Sequence, residues 1–465
     1  MTIQPLEPGR AEMEGMARDA IALLADFIED RSKAPAVDLD DAGRMVPELL
    51  RPPSEEPGEL AALLDVFHRA AEQAVDTAGP GYLAYIPGGG LFTAALAEML
   101  ARGVNRFTGL SGLAPALVAM EEGVLRWLCG QFGLPEAGAG LVTTGGSIAT
   151  LSAVVAARHD RLGEDFADGT LYVTAHTHHC VAKAARIAGF PAARVRTVPA
   201  TPEFRMDVAA AARLIAEDRA AGLRPFLLVG TAGTTNTGTV DPLGELAELA
   251  RREGLWFHVD AAYGGFFQLT ARGRAAFAGI EAADSLVLDP HKGMFLPYGT
   301  GVLLVRDRAT LRGAHSGEAA YLQDLGELAG LPDYADLGPE LTREFRGLRL
   351  WLPLHLHGVA VFREALDEKL DLAERAYREL ASDPLLEVPL KPDLSAVVFR
   401  LPGGDRDNQR LLERINATKR VFLSSTRIDG RHTLRLCVLS HRTHADHVAE
   451  AVDIIRAAAR GALSA

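Results

Sequence analysis

The sequence predicts an α/β protein built on a mainly parallel sheet, with a helical arm before it and a small α+β domain after it. Three observations predict this. Between about residues 81 and 310, short β-branched or apolar runs (GTLYVTA, RPFLLVGT, LWFHVD, DSLVLDP, GTGVLLVRD) alternate with helical stretches such as DPLGELAELARREG. Strands read this way when crossover helices cover both faces of a sheet. Upstream, apolar residues recur at helical spacing from about 9 to 30 and from about 58 to 77, on either side of a Pro-rich linker from Val46-Pro47 to Pro57. Downstream, helices near 345 to 381 precede strand-like SAVVFRLP and LRLCVLS and a final amphipathic helix from about 444 to 460.

The expected organisation is a helical arm over 1–80, a large domain over 81–345 and a small α+β domain over 346–465. The arm has too little apolar closure to fold by itself, so it is expected to pack on a second subunit. Residues 312–342 are rich in Gly, Asp and Glu without a strong strand signal. They read as a long mobile segment of the large domain, and unstructured stretches of that length are often functional.

Composition narrows the function. With 48% hydrophobic and 23% charged residues, the 465-residue chain has the make-up of a soluble globular protein. Its formal net charge of -13 provides no basic field for a nucleic-acid backbone, so a small-molecule partner fits better. Cys129, Cys180 and Cys437 are odd in number, far apart and set in apolar segments, as expected of reduced thiols in the cytoplasm. The N-terminal stretch mixes acidic residues with an amphipathic period, unlike a signal peptide, and no uncharged apolar run reaches membrane-spanning length.

The chain has only six lysines, at 33, 183, 292, 369, 391 and 419. Of these, Lys292 alone directly follows an apolar strand, in DSLVLDPHKGMFLPYGTG, where Asp289-Pro290 ends the strand and Gly293 loosens the turn. A desolvated amine there loses proton affinity and becomes a nucleophile towards an aldehyde. By itself it could equally be a strand-capping lysine with its head in water. Asp260 ends the run LWFHVDAAYGG, about one strand-helix-strand unit earlier, so both strand ends could face one pocket. A carboxylate there can pair with a protonated pyridine nitrogen, or simply cap a turn.

The third element is GLVTTGGSIATLSAVVAARH, a short strand, a glycine turn and a helix. Gly145 and Gly146 permit close backbone approach, and Ser147 adds a hydroxyl where helix N–H groups favour phosphate. Thr234, Thr235 and Asp241 in AGTTNTGTVDP could bond a cofactor hydroxyl or their own turn. His176, His178 and His179 with Cys180 are ligand types for a metal. Adjacent side chains on a strand point apart, however, so stacking of one imidazole on a flat cofactor, or plain polar packing, ranks above a metal site.

Together these motifs resemble the group II, aromatic-L-amino-acid decarboxylase-like family of pyridoxal phosphate (PLP) enzymes, over about residues 15 to 460. HVDAAYGG and DPHKG at their mutual spacing are its most specific parts. The resemblance implies the aspartate aminotransferase-like PLP fold type I, a homodimer with active sites at the interface, and PLP-dependent decarboxylation of an amino acid. It implies Lys292 as the Schiff-base lysine, Asp260 as the pyridinium partner, Ala262 under the ring and His178 stacked on it. Gly146, Ser147 and His291 fall at phosphate positions, Thr235 near the cofactor's hydroxyl, and Tyr85, Pro87 and Phe107 towards substrate. Tyr334, twelve residues before Arg346 in EFRGLRLW, matches the family's loop tyrosine that protonates the substrate carbon.

The sequence also departs from the family: Asp289 stands where Asn is frequent, Ile148 where Glu is, and Gly88 to Gly90 where aromatic-specific members are bulkier. An aromatic L-amino acid ranks first as substrate, ahead of glutamate-like or diamino acids. An aldehyde synthase or decarboxylation-dependent transaminase is the alternative on the same fold, and a PLP-binding protein without catalysis ranks below both.

Overall fold

The computed structural model describes residues 6–317 and 330–463. The arm consists of α1 (Arg10–Glu29), α2 (Ala42–Leu49) and α3 (Leu60–Glu72). None of the three buries a residue completely in the single chain. The short α2 was not expected, because it lies partly in the Pro-rich linker and holds Pro47. Helices α4 (Phe92–Val104) and α5 (Pro115–Gln131) then lead into the sheet.

Seven strands follow: β1 (Ala139–Thr143), β2 (Gly169–Thr174), β3 (Val195–Val198), β4 (Arg224–Thr231), β5 (Trp256–Asp260), β6 (Ser285–Leu288) and β7 (Gly301–Val305). Their order across the sheet is β1-β7-β6-β5-β4-β2-β3. Only β7 runs against its neighbours. Its connection from β6 has no full crossover helix, which a parallel return requires. Strands β1, β2, β5, β6 and β7 are buried at every position, which is why they read as unbroken apolar runs.

The covering helices are α6 (Gly146–Leu162), α7 (Cys180–Ile187), α8 (Val208–Ala220), α9 (Leu243–Glu253), α10 (Ala271–Ala276) and the single turn α11 (Pro290–Gly293). Helix α6 packs across β4, β5, β6 and β7. Its buried face is mostly small (Ala149, Ala153, Ala156, Ala157), so the helix can lie close to the sheet with its first turn at the strand ends.

After α12 (Arg308–His315) and α13 (Leu348–His357) come α14 (Val359–Ala381), α15 (Asp405–Asn416) and α16 (Ala445–Leu463). These last three accompany an antiparallel sheet, β8 (Ala396–Phe399), β9 (Ser424–Ile428) and β10 (Arg431–Cys437), in the order β8-β10-β9. Phe362 and Leu366 of α14 belong to the core of the large sheet, and Leu372 and Ala373 to a second core with Val397 and Leu434. The change of core therefore falls inside α14 rather than at 346. Of the segment read as mobile, 318–329 lies outside the described residues. Among the described residues no helix is long and apolar enough to cross a membrane.

Candidate active site

Four strand ends and one helix start deliver residues to a single cavity of about 300 Å³. Gly145, Gly146 and Ser147 come from the β1–α6 turn, His178 from the β2–α7 connection, Thr235 from beyond β4, Asp260 and Ala262 from the end of β5, and His291 and Lys292 from α11 after β6. All nine cofactor-site residues named from the sequence line this cavity. Register explains part of the convergence. Thr231, Asp260 and Val287 are paired across β4, β5 and β6, so these parallel strands end together at one edge of the sheet.

Lys292 Nζ lies 2.8 Å from Asp289 Oδ2, and its side chain remains 21% exposed. Burial works against its ammonium form, but Asp289 and then Asp260 outweigh burial and raise its pKa. This corrects the expected loss of proton affinity: with the carboxylates in place, the amine is held charged. A second amine, that of Lys369, is wholly buried, yet it is bound by Glu368 Oε2 and the Thr443 carbonyl and does not line the cavity. Burial alone therefore does not single out Lys292; its exposure to the cavity does.

Asp260 Oδ1 accepts a hydrogen bond from Ala262 N at 3.1 Å, leaving the carboxylate facing the cavity. Burial lowers the pKa of His178 more than Asp260 raises it, which favours the neutral ring. Cys180, also on the wall, has its thiol pushed up to about 12 by burial. His291 Nδ1 is 2.6 Å from the Thr300 carbonyl and Nε2 is 3.7 Å from Asp289.

Pyridoxal phosphate suits this donor set. Helix α6 has no side-chain cap at its start, so its first N–H groups are available to a phosphate. Two buried oxygens at the cavity, Thr231 Oγ1 and Asp289 Oδ1, have no protein partner. An amine and a carboxylate, Lys292 and Asp260, face the same space, as an aldehyde-bearing pyridine needs. Sequence reasoning missed Thr231 and Thr150, whose role depends on which face of their strand or helix meets the cavity.

Other expectations change. Tyr334 is only 1% exposed: its hydroxyl donates to Glu122 Oε2 at 3.4 Å and Arg343 lies 4.5 Å over its ring. In the single chain it belongs to the core and is absent from the cavity lining. Gly88 and Gly89 lie against the turn that carries Lys292. A Cβ on Gly89 would meet the Phe295 backbone at 2.5 Å, and one on Gly88 would meet the His291 carbonyl at 3.0 Å, so close packing on the lysine turn requires them. Tyr85 is 59% exposed, Pro87 is buried and Phe107 is half-buried; none of the three lines the cavity. His176 packs edge-on against Phe204, whereas the rings of His178 and His179 lie 4.3 Å apart, with His178 on this cavity and His179 on a separate surface hollow. Among the described residues no cluster of His, Cys, Asp and Glu is placed to hold a metal.

Comparison with known proteins agrees with this geometry. A family model described as "Pyridoxal-dependent decarboxylase conserved domain" matches residues 45–402. An aromatic-L-amino-acid decarboxylase of Bacillus atrophaeus is 31% identical, over 98% of this chain and 97% of its own. Among solved structures, Oryza sativa TDC with PLP and tryptamine superposes with a TM-score of 0.93 at 27% identity, covering 99% of both chains. Catharanthus roseus tryptophan decarboxylase in complex with L-tryptophan gives 0.91 at 26%, covering 98% of this chain and 99% of its own. The chain belongs to the pyridoxal-dependent decarboxylase family, with the type I fold, and is a PLP-dependent amino acid decarboxylase.

Proposed function

We propose that the protein converts an aromatic L-amino acid to its amine and carbon dioxide, with Lys292 holding the cofactor. The observation that carries the site assignment is the convergence of Lys292, Asp260 and the uncapped start of α6 on one cavity. The aromatic substrate rests on the relatives: two of those compared are named for aromatic amino acids, and one was crystallised with L-tryptophan.

When bound, pyridoxal phosphate supplies an electron sink for the bonding pair that departing carbon dioxide leaves behind. The chain's residues divide the remaining work. Lys292 carries the amine that meets the aldehyde, and the charge of Asp260 keeps a proton on the ring nitrogen. Neutral His178 and the small Ala262 would bound the flat ring. Gly145, Gly146 and Ser147 would hold the phosphate with backbone N–H groups, assisted by His291. Thr235 takes the ring hydroxyl; its carbonyl, with those of Tyr85 and Asn236, accepts hydrogen bonds from the buried Arg435.

We also propose a cytoplasmic homodimer. The arm exposes Met13, Met16, Leu49, Leu50, Leu63 and Phe67, a large apolar area for a lone chain. Tyr85 and Phe107, as substrate contacts, need the second subunit to complete the pocket. Light scattering of the purified protein tests the dimer. Mass spectrometry of products from a panel of L-amino acids tests the reaction: an amine with carbon dioxide from Trp, Tyr or Phe is expected, and turnover of only glutamate-like or diamino acids overturns the aromatic assignment. An aldehyde product would instead favour the aldehyde synthase alternative.

A further inference from the structure

Asp289 is placed where a carboxylate is least expected. Its side chain is 4% exposed, and an added Cβ on Gly146 would stand 3.0 Å from its Oδ2, so the acid borders the first turn of α6. That turn is the cradle assigned above to the cofactor's phosphate, and this inference rests on that assignment. Asp289 Oδ1 has no hydrogen-bond partner, and Oδ2 is held by Lys292 at 2.8 Å. Lys292 is the group that cofactor attachment engages, so loading draws away the cation paired with Asp289 and brings a phosphate of about -1.5 to -2 charge to the same place.

The other groups around Asp289 do not replace that cation. His291 lies 3.7 Å away on the same turn; its Nδ1 faces the Thr300 carbonyl, and burial disfavours its charged form. From α7 and the connection before it, Cys180 and His178 sense Asp289, the first with its thiol pushed up by burial and the second favoured neutral. From β5, Asp260 adds a further negative charge beside Lys292. Two anions brought together in a closed site share a proton more readily than they remain apart.

We propose that Asp289 couples cofactor binding to the uptake of one proton. On binding, the carboxylate takes the proton from solvent and its O–H then donates to a phosphate oxygen, so an acid serves where a neutral amide would otherwise be suited. Binding of the cofactor accordingly weakens as pH rises, by up to about tenfold per pH unit more than in a variant without the acid.

The test is titration of the full-length apoprotein with pyridoxal phosphate, by calorimetry in buffers of different ionisation enthalpy, which counts protons, and by affinity between pH 6.5 and 8.5. Wild type is expected to take up close to one proton more than Asp289→Asn, an exchange of equal size. Asp289→Asn is expected to bind more tightly at the alkaline end, with a flatter pH dependence. His291→Gln should keep the uptake. Equal proton counts in wild type and Asp289→Asn overturn the proposal, as does loss of uptake in His291→Gln with retention in Asp289→Asn. Wild type alone also decides: no proton taken up overturns it even if the variant does not fold. The visible absorbance of lysine-linked cofactor separates the two layers. Its absence in loaded wild type sinks the Lys292 assignment and this inference together, and its presence without proton uptake sinks this inference alone.

Discussion

The cavity rim and the segment from 333 to 349 are both buried and both polar, but they spend that polarity differently. At the rim, Lys292 keeps part of its surface open, and Thr231 Oγ1 and Asp289 Oδ1 have no protein partner. In the segment, Arg343 meets Glu121 at 2.6 Å, Glu121 also accepts from Gly347 N, and Asp333 accepts from Ser111 Oγ at 2.8 Å. Even the two guanidinium nitrogens of Arg343 that lack partners belong to a group lying over the Tyr334 ring. Polar groups left facing a cavity await a ligand, whereas polar groups closed on one another fix a chain path.

Substitutions at the rim should therefore abolish chemistry and spare the fold. The largest effect is expected from Lys292→Ala, which removes the visible absorbance of lysine-linked cofactor and reduces turnover to background. Unchanged absorbance would remove Lys292 from the role given to it. Next is Asp260→Asn, which keeps size but removes the charge. Breaking a buried charge interaction typically costs about 3–5 kcal/mol, and each 1.36 kcal/mol is tenfold in rate, so kcat should fall about 10²- to 10⁴-fold. Pre-steady-state decarboxylation rates measure this, and a loss below tenfold would separate Asp260 from the ring nitrogen.

In the segment the reverse holds. Both partners of the Glu121–Arg343 pair are 1% exposed at the side chain, so Glu121→Gln leaves a buried guanidinium without its countercharge. Destabilisation of about 3–5 kcal/mol is expected, read as a lower denaturation midpoint. The protein that does fold should retain its loaded absorbance. A normal midpoint with lost cofactor binding would place this pair with the rim, and the comparison would fail.

What the sequence made legible follows the same division. Lys292 and Asp260 could be found because Asp260 ends an apolar strand and Lys292 lies in the turn that follows one, and parallel strands ending at one edge bring such residues together. The edge strands were harder. β3 (VRTV) is short and partly exposed, and β9 (SSTRI) is polar with a half-buried pattern, so neither has the apolar signature of the inner strands. The burial of Tyr334 was not legible, because a twelve-residue spacing to Arg346 is a one-dimensional match, while that burial depends on Glu122, 212 residues away in the chain. The packing of Gly88 and Gly89 on His291 and Phe295 was hidden for the same reason, since about 200 residues separate them in the chain.

The smallest expected effect tests the comparison most directly. Tyr334→Phe keeps the ring beneath Arg343 and removes one hydroxyl whose bond to Glu122 is already long at 3.4 Å. The loss should be about 1 kcal/mol of stability, because Glu122 retains Arg126 at 2.8 Å and Arg308 at 2.6 Å. The buried phenol is held well above its ordinary pKa by burial and the two glutamates, which makes it a poor source of protons at neutral pH. The product should therefore remain an amine, with unaltered cofactor absorbance. The other tyrosine between 312 and 342, Tyr321, lies outside the described residues, so Tyr321→Phe is the paired measurement. If Tyr334→Phe diverts product to aldehyde while Tyr321→Phe does not, the 333–349 segment must leave its buried position during turnover. A diversion in Tyr321→Phe alone keeps Tyr334 as part of the frame and assigns the proton to its neighbour in sequence.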